Sequence, residues 1–496
     1  KGTETFECRF AYMGFQFVRV TADPGVTVER VEAVPVHTDV AEAGRFVCSN
    51  DVVNRLQDIS RASLLNNFHS IPTDCPHREK QGWTADTYMT DQAAIYNFDM
   101  AAFYAKWVED LAGTQDSAGG LCTVAPSTGY DQSISTVWPA AIVYVPWDLL
   151  AYYGDRRVVE RHYETMMRFA ESSLLRQRDG KPEIIGEVLG DWVSPHMTLS
   201  DTLMSYSMAP PEGLTLYGTA SHYRVVRNLA EVARFLGKRD DAVRLDAWAD
   251  RIARRFNEEF FDAASGIYHG ENTTPYRQAA NVVPLEYGLV PEADSARVLG
   301  SLLRDLDGTR DRIGTGFVGT LSMMELMPRI DPERAYRLAT QPDYPGWGFM
   351  ALSGATTMWE TWDGSASRNH PPFCLISAYF YKYLAGIRCD RAYPGFERFT
   401  VDPSVVGDLT FVEAWHDSPY GRIRSEWRRD GSRLTMKVSV PVGTTATIGV
   451  PTRDAAGVAE SGRPVSGTDG VKFLRAAGGK AFYEVGSGSY VFTSRL

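Results

Sequence analysis

Apolar residues follow three regimes along this chain. Near the start they alternate with polar ones. Phe6-Glu7-Cys8-Arg9-Phe10 and Phe15-Gln16-Phe17-Val18-Arg19-Val20 place large side chains at nearly every second position. That is the period of a strand with one buried face. Residues 1–45 are therefore expected to be a short N-terminal β segment. Two or three strands make no stable sheet alone. The segment reads as the tail of a β-sandwich that begins upstream, or as strands docked on the next domain. The chain opens at Lys1 without a Met or a leader-like stretch, which reads as a processed or partial chain.

From about residue 46 to 390 the period changes to that of a helix. Val53, Leu56, Ile59 and Leu64 follow the capping sequence Ser49-Asn50-Asp51. Val225, Val226, Leu229, Val232 and Leu236 share one face, and Val243, Leu245, Trp248, Ile252 and Phe256 share another. Gly237-Lys238-Arg239 lies between them, so the two predicted helices form a hairpin. Similar hairpins are predicted near 90–115, 140–175 and 290–340. Helix pairs in this number suit a closed ring, and the long Gly-, Pro-, Trp- and Asp-rich loops between them are where function tends to sit. From 391 to 496 alternation returns, as in Arg433-Leu434-Thr435-Met436-Lys437-Val438-Ser439-Val440 and again at Ser489-Tyr490-Val491-Phe492-Thr493. This part is expected to be a C-terminal antiparallel β-sandwich.

Composition narrows the partners. With 51 Lys+Arg against 62 Asp+Glu, the net charge is −11, which speaks against a phosphate backbone as ligand. No apolar run is long enough to span a bilayer. The six cysteines form no C-x-x-C pair and have few histidines near them in sequence. No metal or other cofactor is expected, and buried reduced thiols are the simplest reading. Compartment is left open among cytoplasm, periplasm and exterior. Oligomeric state is open too, a homodimer included.

The candidate chemistry lies in loops of the helical region. Asp74-Cys75-Pro76-His77-Arg78-Glu79-Lys80-Gln81-Gly82-Trp83-Thr84-Ala85-Asp86 crowds three carboxylates, an arginine and a tryptophan into one turn-rich segment. Three more clusters contain tryptophan. They are Ser135 to Pro139 with Trp138, Gly190-Asp191-Trp192, and the stretch from Pro345 to His370 with Trp347, Glu360 and Trp362. Paired carboxylates carry glycoside hydrolysis. Tryptophan faces cover the apolar C–H faces of a sugar while Asp, Arg and His bind its hydroxyls. Each cluster alone also has a plain structural reading. An Asp-Cys-Pro turn can simply satisfy its own backbone. Asp191-Trp192 can be a helix cap beside a core indole, Trp138 can be core, and His370 can be a loop residue. Glu360, flanked by Trp359 and Trp362, is the sharpest single residue, because a carboxylate buried among indoles needs a partner or a raised pKa.

Taken together, Asp-Cys-Pro-x-Arg-Glu-x-x-Gly-Trp-x-x-Asp (74–86), Gly190-Asp191-Trp192 and Gly354-Ala355-Thr356-Thr357-Met358-Trp359-Glu360-Thr361-Trp362-Asp363 resemble, in order and rough spacing, the bacterial α-L-rhamnosidases of glycoside hydrolase family 78. The resemblance spans nearly the whole chain. It implies a six-hairpin (α/α) barrel followed by a β-sandwich, and inverting release of terminal α-L-rhamnose from a rhamnosylated glycan or glycoside. It implies Glu79 as general acid and Glu360 as the base that activates water. Asp74, Arg78 and Asp86 would bind sugar hydroxyls. Trp83, Trp138, Trp192, Trp347 and Trp362 would wall the pocket, with Asp191 and His370 nearby. The chain departs from the family pattern at His77, Ala85 and Thr361, in a shorter run before Gly82 and in a shorter loop from Glu360 to His370. A six-hairpin hydrolase or lyase acting on another sugar, and a non-catalytic sugar-binding relative, are the alternatives these departures leave open.

Overall fold

A computed structural model describes the chain except for residues 1, 130–134, 179, 196–209 and 273. Helices fill the region from Asp51 to Leu384, and strands fill Ile387 to Arg495. Local signals explain several helix ends. The Asn50 side chain accepts from the Val52 and Val53 N–H groups to start Asp51–Asn66. Gly154, at φ 69, stops Ala141–Tyr153, and Asp155 caps the next helix, Arg156–Ser172.

Burial sorts the helices into two shells. Thr84–Asn97, Ala141–Tyr153 and Leu375–Tyr379 are buried nearly all round. Arg156–Ser172, Arg239–Phe260 and Glu292–Thr309 bury one stripe and expose the rest, as outer helices must. The inner helices touch in a ring. Thr84–Asn97 meets Ala141–Tyr153, then Thr215–Phe235, Gln278–Tyr287, Phe317–Ile330 and Leu375–Tyr379, which returns to Thr84–Asn97. This is the expected closed ring of hairpins.

Two sheets follow. One has seven strands and the other five, with alternating burial such as that of Arg433–Val440. Two features differ from expectation. The sandwich is not antiparallel throughout, because Thr445–Pro451 runs parallel to Arg398–Val401. Three strands of the other sheet lie between them in sequence, a connection long enough for a parallel crossover. The N-terminal alternating runs are not strands. Phe6, Phe10 and Phe17 are 90, 102 and 85% exposed, and among the described residues neither run lies against a sheet edge that could hold it. The strand found in this part is Gly44–Cys48, which pairs antiparallel with Phe411–Ser418 in the C-terminal sandwich, Phe46 opposite Ala414. It ties the entry of the helical ring to the sandwich. Where the chain leaves the ring, Trp427 Nε1 donates to Leu384 O at 2.9 Å and Ser425 Oγ to Ala385 O at 2.6 Å.

Candidate active site

The loops that lead into the inner helices carry the candidate residues. Segment 74–86 folds into a tight turn before Thr84–Asn97. The buried Asp74 closes it twice, since its N–H donates to Gln81 O and its Oδ1 accepts from Gln81 N, both at 2.8 Å. Lys80 takes a left-handed φ of 58. Its Nζ donates to Tyr12 O at 2.7 Å and stands 4.5 Å from the centre of the Tyr12 ring. Gly82 is required by close approach, because a Cβ there would lie 2.1 Å from Ala125 O. Trp83 then begins the helix, and Asp86 falls in its first turn.

Glu360 comes from the loop opposite. Its N–H donates to Ser367 O at 2.8 Å, and Ser367 N donates back to Oε2 at 3.1 Å. Arg78 Nη2 reaches the same oxygen at 3.1 Å, and Trp192 Nε1 reaches Oε1 at 3.5 Å. His370 Nδ1 is 3.9 Å away, while its Nε2 is 3.0 Å from Asp86 Oδ1. The Glu360 side chain is only 5% exposed. Burial alone would raise its pKa, yet His370, Arg78 and the Ser367 N–H outweigh it and hold it below the usual range. The His370 imidazole shows the converse. Burial would lower its pKa, but Glu360, Asp86 and the Cys75 thiol raise it well above 6.5.

Glu79 sits at the mouth with its side chain 35% exposed. Trp83 Nε1 donates to its Oε2 at 2.8 Å, and Arg78 Nη2 lies 3.2 Å from its Oε1. One guanidinium nitrogen thus touches both candidate carboxylates. The two oxygens it touches are at most about 6.3 Å apart, close enough to flank one glycosidic bond but just short of the roughly 6.5–9.5 Å usual for an inverting pair, which makes the anomer of the product the deciding measurement. Two further acids lie deeper. Burial pushes Asp74 up to about 6, against the lowering effects of His370 and Cys75. Burial also raises Asp86, tempered by His370.

Of the five tryptophans, two touch the candidate carboxylates and a third, Trp138, is 3% exposed beside one of them. Trp83 and Trp192 are part-buried and bonded to the two glutamates, and Trp138 stands edge-on to Trp192 at 6.5 Å. Trp347 and Trp362 do not wall the pocket. They are 0 and 1% exposed, and their indole N–H groups are tied to Phe373 O and Thr315 O at 3.0 and 2.9 Å. They pack edge to face behind the loop that carries Glu360. Asp191 also acts from behind. Its two oxygens accept from Gly316 N at 2.6 Å and Gly319 N at 2.7 Å, at the start of Phe317–Ile330. Burial pushes it up to about 7 despite those bonds. Sequence reasoning passed over Ser367, which holds Glu360, and Glu187, whose Oε2 accepts from Thr136 N at 2.8 Å and Val137 N at 3.1 Å beside Trp138. Neither belongs to a motif. Cys75 lies inside one, where the sequence suggests only a buried thiol; its thiol donates to Asp74 Oδ2 at 2.8 Å and accepts from Glu79 N at 3.3 Å.

Comparison with known proteins bears on the fold and the family. The family described as the bacterial α-L-rhamnosidase six-hairpin glycosidase domain matches residues 41–384. The chain belongs to that family. The bacterial α-L-rhamnosidase C-terminal domain matches residues 386–463. An α-L-rhamnosidase of Streptomyces avermitilis is 30% identical over 99% of this chain and 46% of its own length. One from Formosa agariphila is 29% identical over 90% of the chain and 48% of its own length. The chain thus spans about half the length of these relatives. Among solved structures, an α-L-rhamnosidase from Dictyoglumus thermophilum superposes with a TM-score of 0.84 at 32% identity, covering 95% of this chain and 52% of that one. The Streptomyces avermitilis enzyme complexed with L-rhamnose gives 0.80 at 28% identity, covering 92 and 42%.

Proposed function

We propose that this chain is an inverting α-L-rhamnosidase that releases terminal α-L-rhamnose from a glycan or glycoside. The observation that carries the reading is the carboxylate pair joined by Arg78, in which one member is buried and kept ionised and the other stands at the mouth. Glu360 suits a general base. Both of its oxygens are engaged by neighbours, which fits accepting a proton from water better than giving an oxygen to the sugar. Glu79, held by Trp83 Nε1 and reachable from solvent, suits the acid that protonates the leaving oxygen. Asp74, Arg78, Asp86 and His370 bind hydroxyls of the bound sugar, and Trp83, Trp138 and Trp192 cover its apolar faces. The related enzyme complexed with L-rhamnose supports the choice of sugar.

Two measurements test this reading. Glu79→Gln and Glu360→Gln should each lower turnover of an aryl α-L-rhamnoside by about 100-fold or more, the scale of general acid–base catalysis, with unfolding midpoints nearly unchanged. NMR of the first-formed product should show β-L-rhamnose. Retention of configuration would refute the assigned roles. Turnover of a different glycoside, or an unsaturated product, would move the chain to another six-hairpin activity.

A further inference from the structure

The fold builds a cluster that the spacing of residues in the sequence hides. One carboxylate oxygen of Asp74, the Cys75 sulfur and one ring nitrogen of His370 all lie within 4.8 Å of one another, and all three residues are buried. His370 Nδ1 is buried without a hydrogen-bond partner. Its other nitrogen, Nε2, is 3.0 Å from Asp86 Oδ1. A histidine anchored by a carboxylate at one nitrogen and open at the other is the arrangement of a metal ligand with its outer support. Sulfur, imidazole and carboxylate together suit zinc-like ions. From sequence alone no metal was expected here, because His370 lies far along the chain from Cys75.

We propose that Asp74, Cys75 and His370 form an inhibitory site for a thiophilic divalent cation such as zinc or cadmium. Tetrahedral ligands at about 2.0–2.3 Å from zinc stand roughly 3–4 Å from one another, so the cluster need contract by at most about 1–2 Å to close on the ion. The cation replaces the thiol proton that Cys75 now gives to Asp74 Oδ2. That proton, and the one on His370 where the ring is charged, pass to solvent, and the sulfur, the freed Asp74 oxygen and the ring nitrogen become ligands. The fourth position takes a water. Glu360 Oε2 is 3.9 Å from Nδ1, so the ion occupies the ground beside the proposed base. It also withdraws Asp74 and His370 from the sugar. The inhibitory consequence rests on the function proposed above; the binding does not.

The test is made on the full chain carrying Cys8→Ser, since Cys8 is the exposed cysteine. Titration with cadmium chloride should raise an ultraviolet sulfur–cadmium absorption that saturates at one equivalent. Cys75→Ser should abolish it. Asp86→Asn, which leaves all three ligands in place, should weaken cadmium binding by about 10–100-fold. Zinc chloride should inhibit rhamnoside hydrolysis, reversibly on adding a chelator. The concentration needed should rise by about 100-fold or more in Cys75→Ser, each protein scaled to its own metal-free rate. An absorption band that survives Cys75→Ser, or equal zinc sensitivity of the two proteins, would overturn the site. A chain that hydrolyses no rhamnoside but shows the Cys75-dependent band would refute the proposed function and leave the site standing.

Discussion

At the scale of single residues, the site depends on which group holds the positive charge next to Glu360. His370 is the largest of the lowering influences on that carboxylate, ahead of Arg78. A general base works only when ionised, so activity falls as pH drops through its pKa. Because that pKa is held low, the acid limb of kcat/KM should lie below the range of an ordinary glutamate. Replacing His370 by Gln removes the charge and keeps a polar side chain. The Glu360 pKa should then rise, and the acid limb should move to higher pH. A pH–rate profile of His370→Gln against the parent checks this, and an unmoved limb would transfer the role to Arg78. Much of this residue set is legible in the sequence, because Asp74, Arg78, Glu79, Asp86 and Glu360 fall inside dense motifs. What each tryptophan does is not legible. Trp83 and Trp347 both follow a glycine, yet one is part-buried and bonded to Glu79 while the other is fully buried, and only the packing around them separates the two. Ser367 could not be found, since a serine that holds a carboxylate looks like any loop serine.

At the scale of elements, the loops are set by contacts between backbones that sequence periodicity does not encode. The helical hairpins are legible because a buried stripe repeats every three or four residues. The alternating runs near the N-terminus carry the same kind of local signal, but a strand needs a neighbouring edge, and Phe6 to Val20 meet none among the described residues. One loop contact bears on the proposed base. Gly316 N donates to Asp191, and a Cβ on Gly316 would lie 2.1 Å from Trp192 O. Its φ of −86 is open to any residue, so the restriction is close approach alone. Gly316→Ala must push the Asp191-Trp192 turn aside, and with it the indole that donates to Glu360. Displacements of about 1 Å at such a site cost up to about 100-fold in rate. The expected result is a fall of that order in kcat, with circular dichroism unchanged. A parent-like kcat would show that Trp192 does not position Glu360.

At the scale of the whole molecule, barrel and sandwich share buried groups, and one of them makes their union sensitive to acid. His416 lies on the sandwich strand Phe411–Ser418 that pairs with Gly44–Cys48. Its ring packs 5.1 Å from Tyr96 of an inner barrel helix and 5.2 Å from Phe396. The residue is 1% exposed, and burial pushes its pKa down to about 4. His222, inside the ring beside Trp248, is pushed down to about 3 by burial and by Arg176. In the unfolded chain both titrate near 6.5. The unfolded state therefore binds more protons than the folded state at any pH between those values. Stability is fully present above about 6.5 and is lost as pH falls toward 4. For His416 the loss by pH 4 is on the order of 3 kcal/mol, at about 1.4 kcal/mol per pKa unit. A phenylalanine at 416 keeps an aromatic ring among Tyr96 and Phe396 and has no proton to gain. The thermal midpoint of His416→Phe, compared with the parent at pH 7.5 and again at pH 5, should improve relative to the parent as the pH is lowered. Equal losses in the two proteins would mean that the seam between barrel and sandwich admits the charged ring, and that acid acts on the fold through the carboxylates instead.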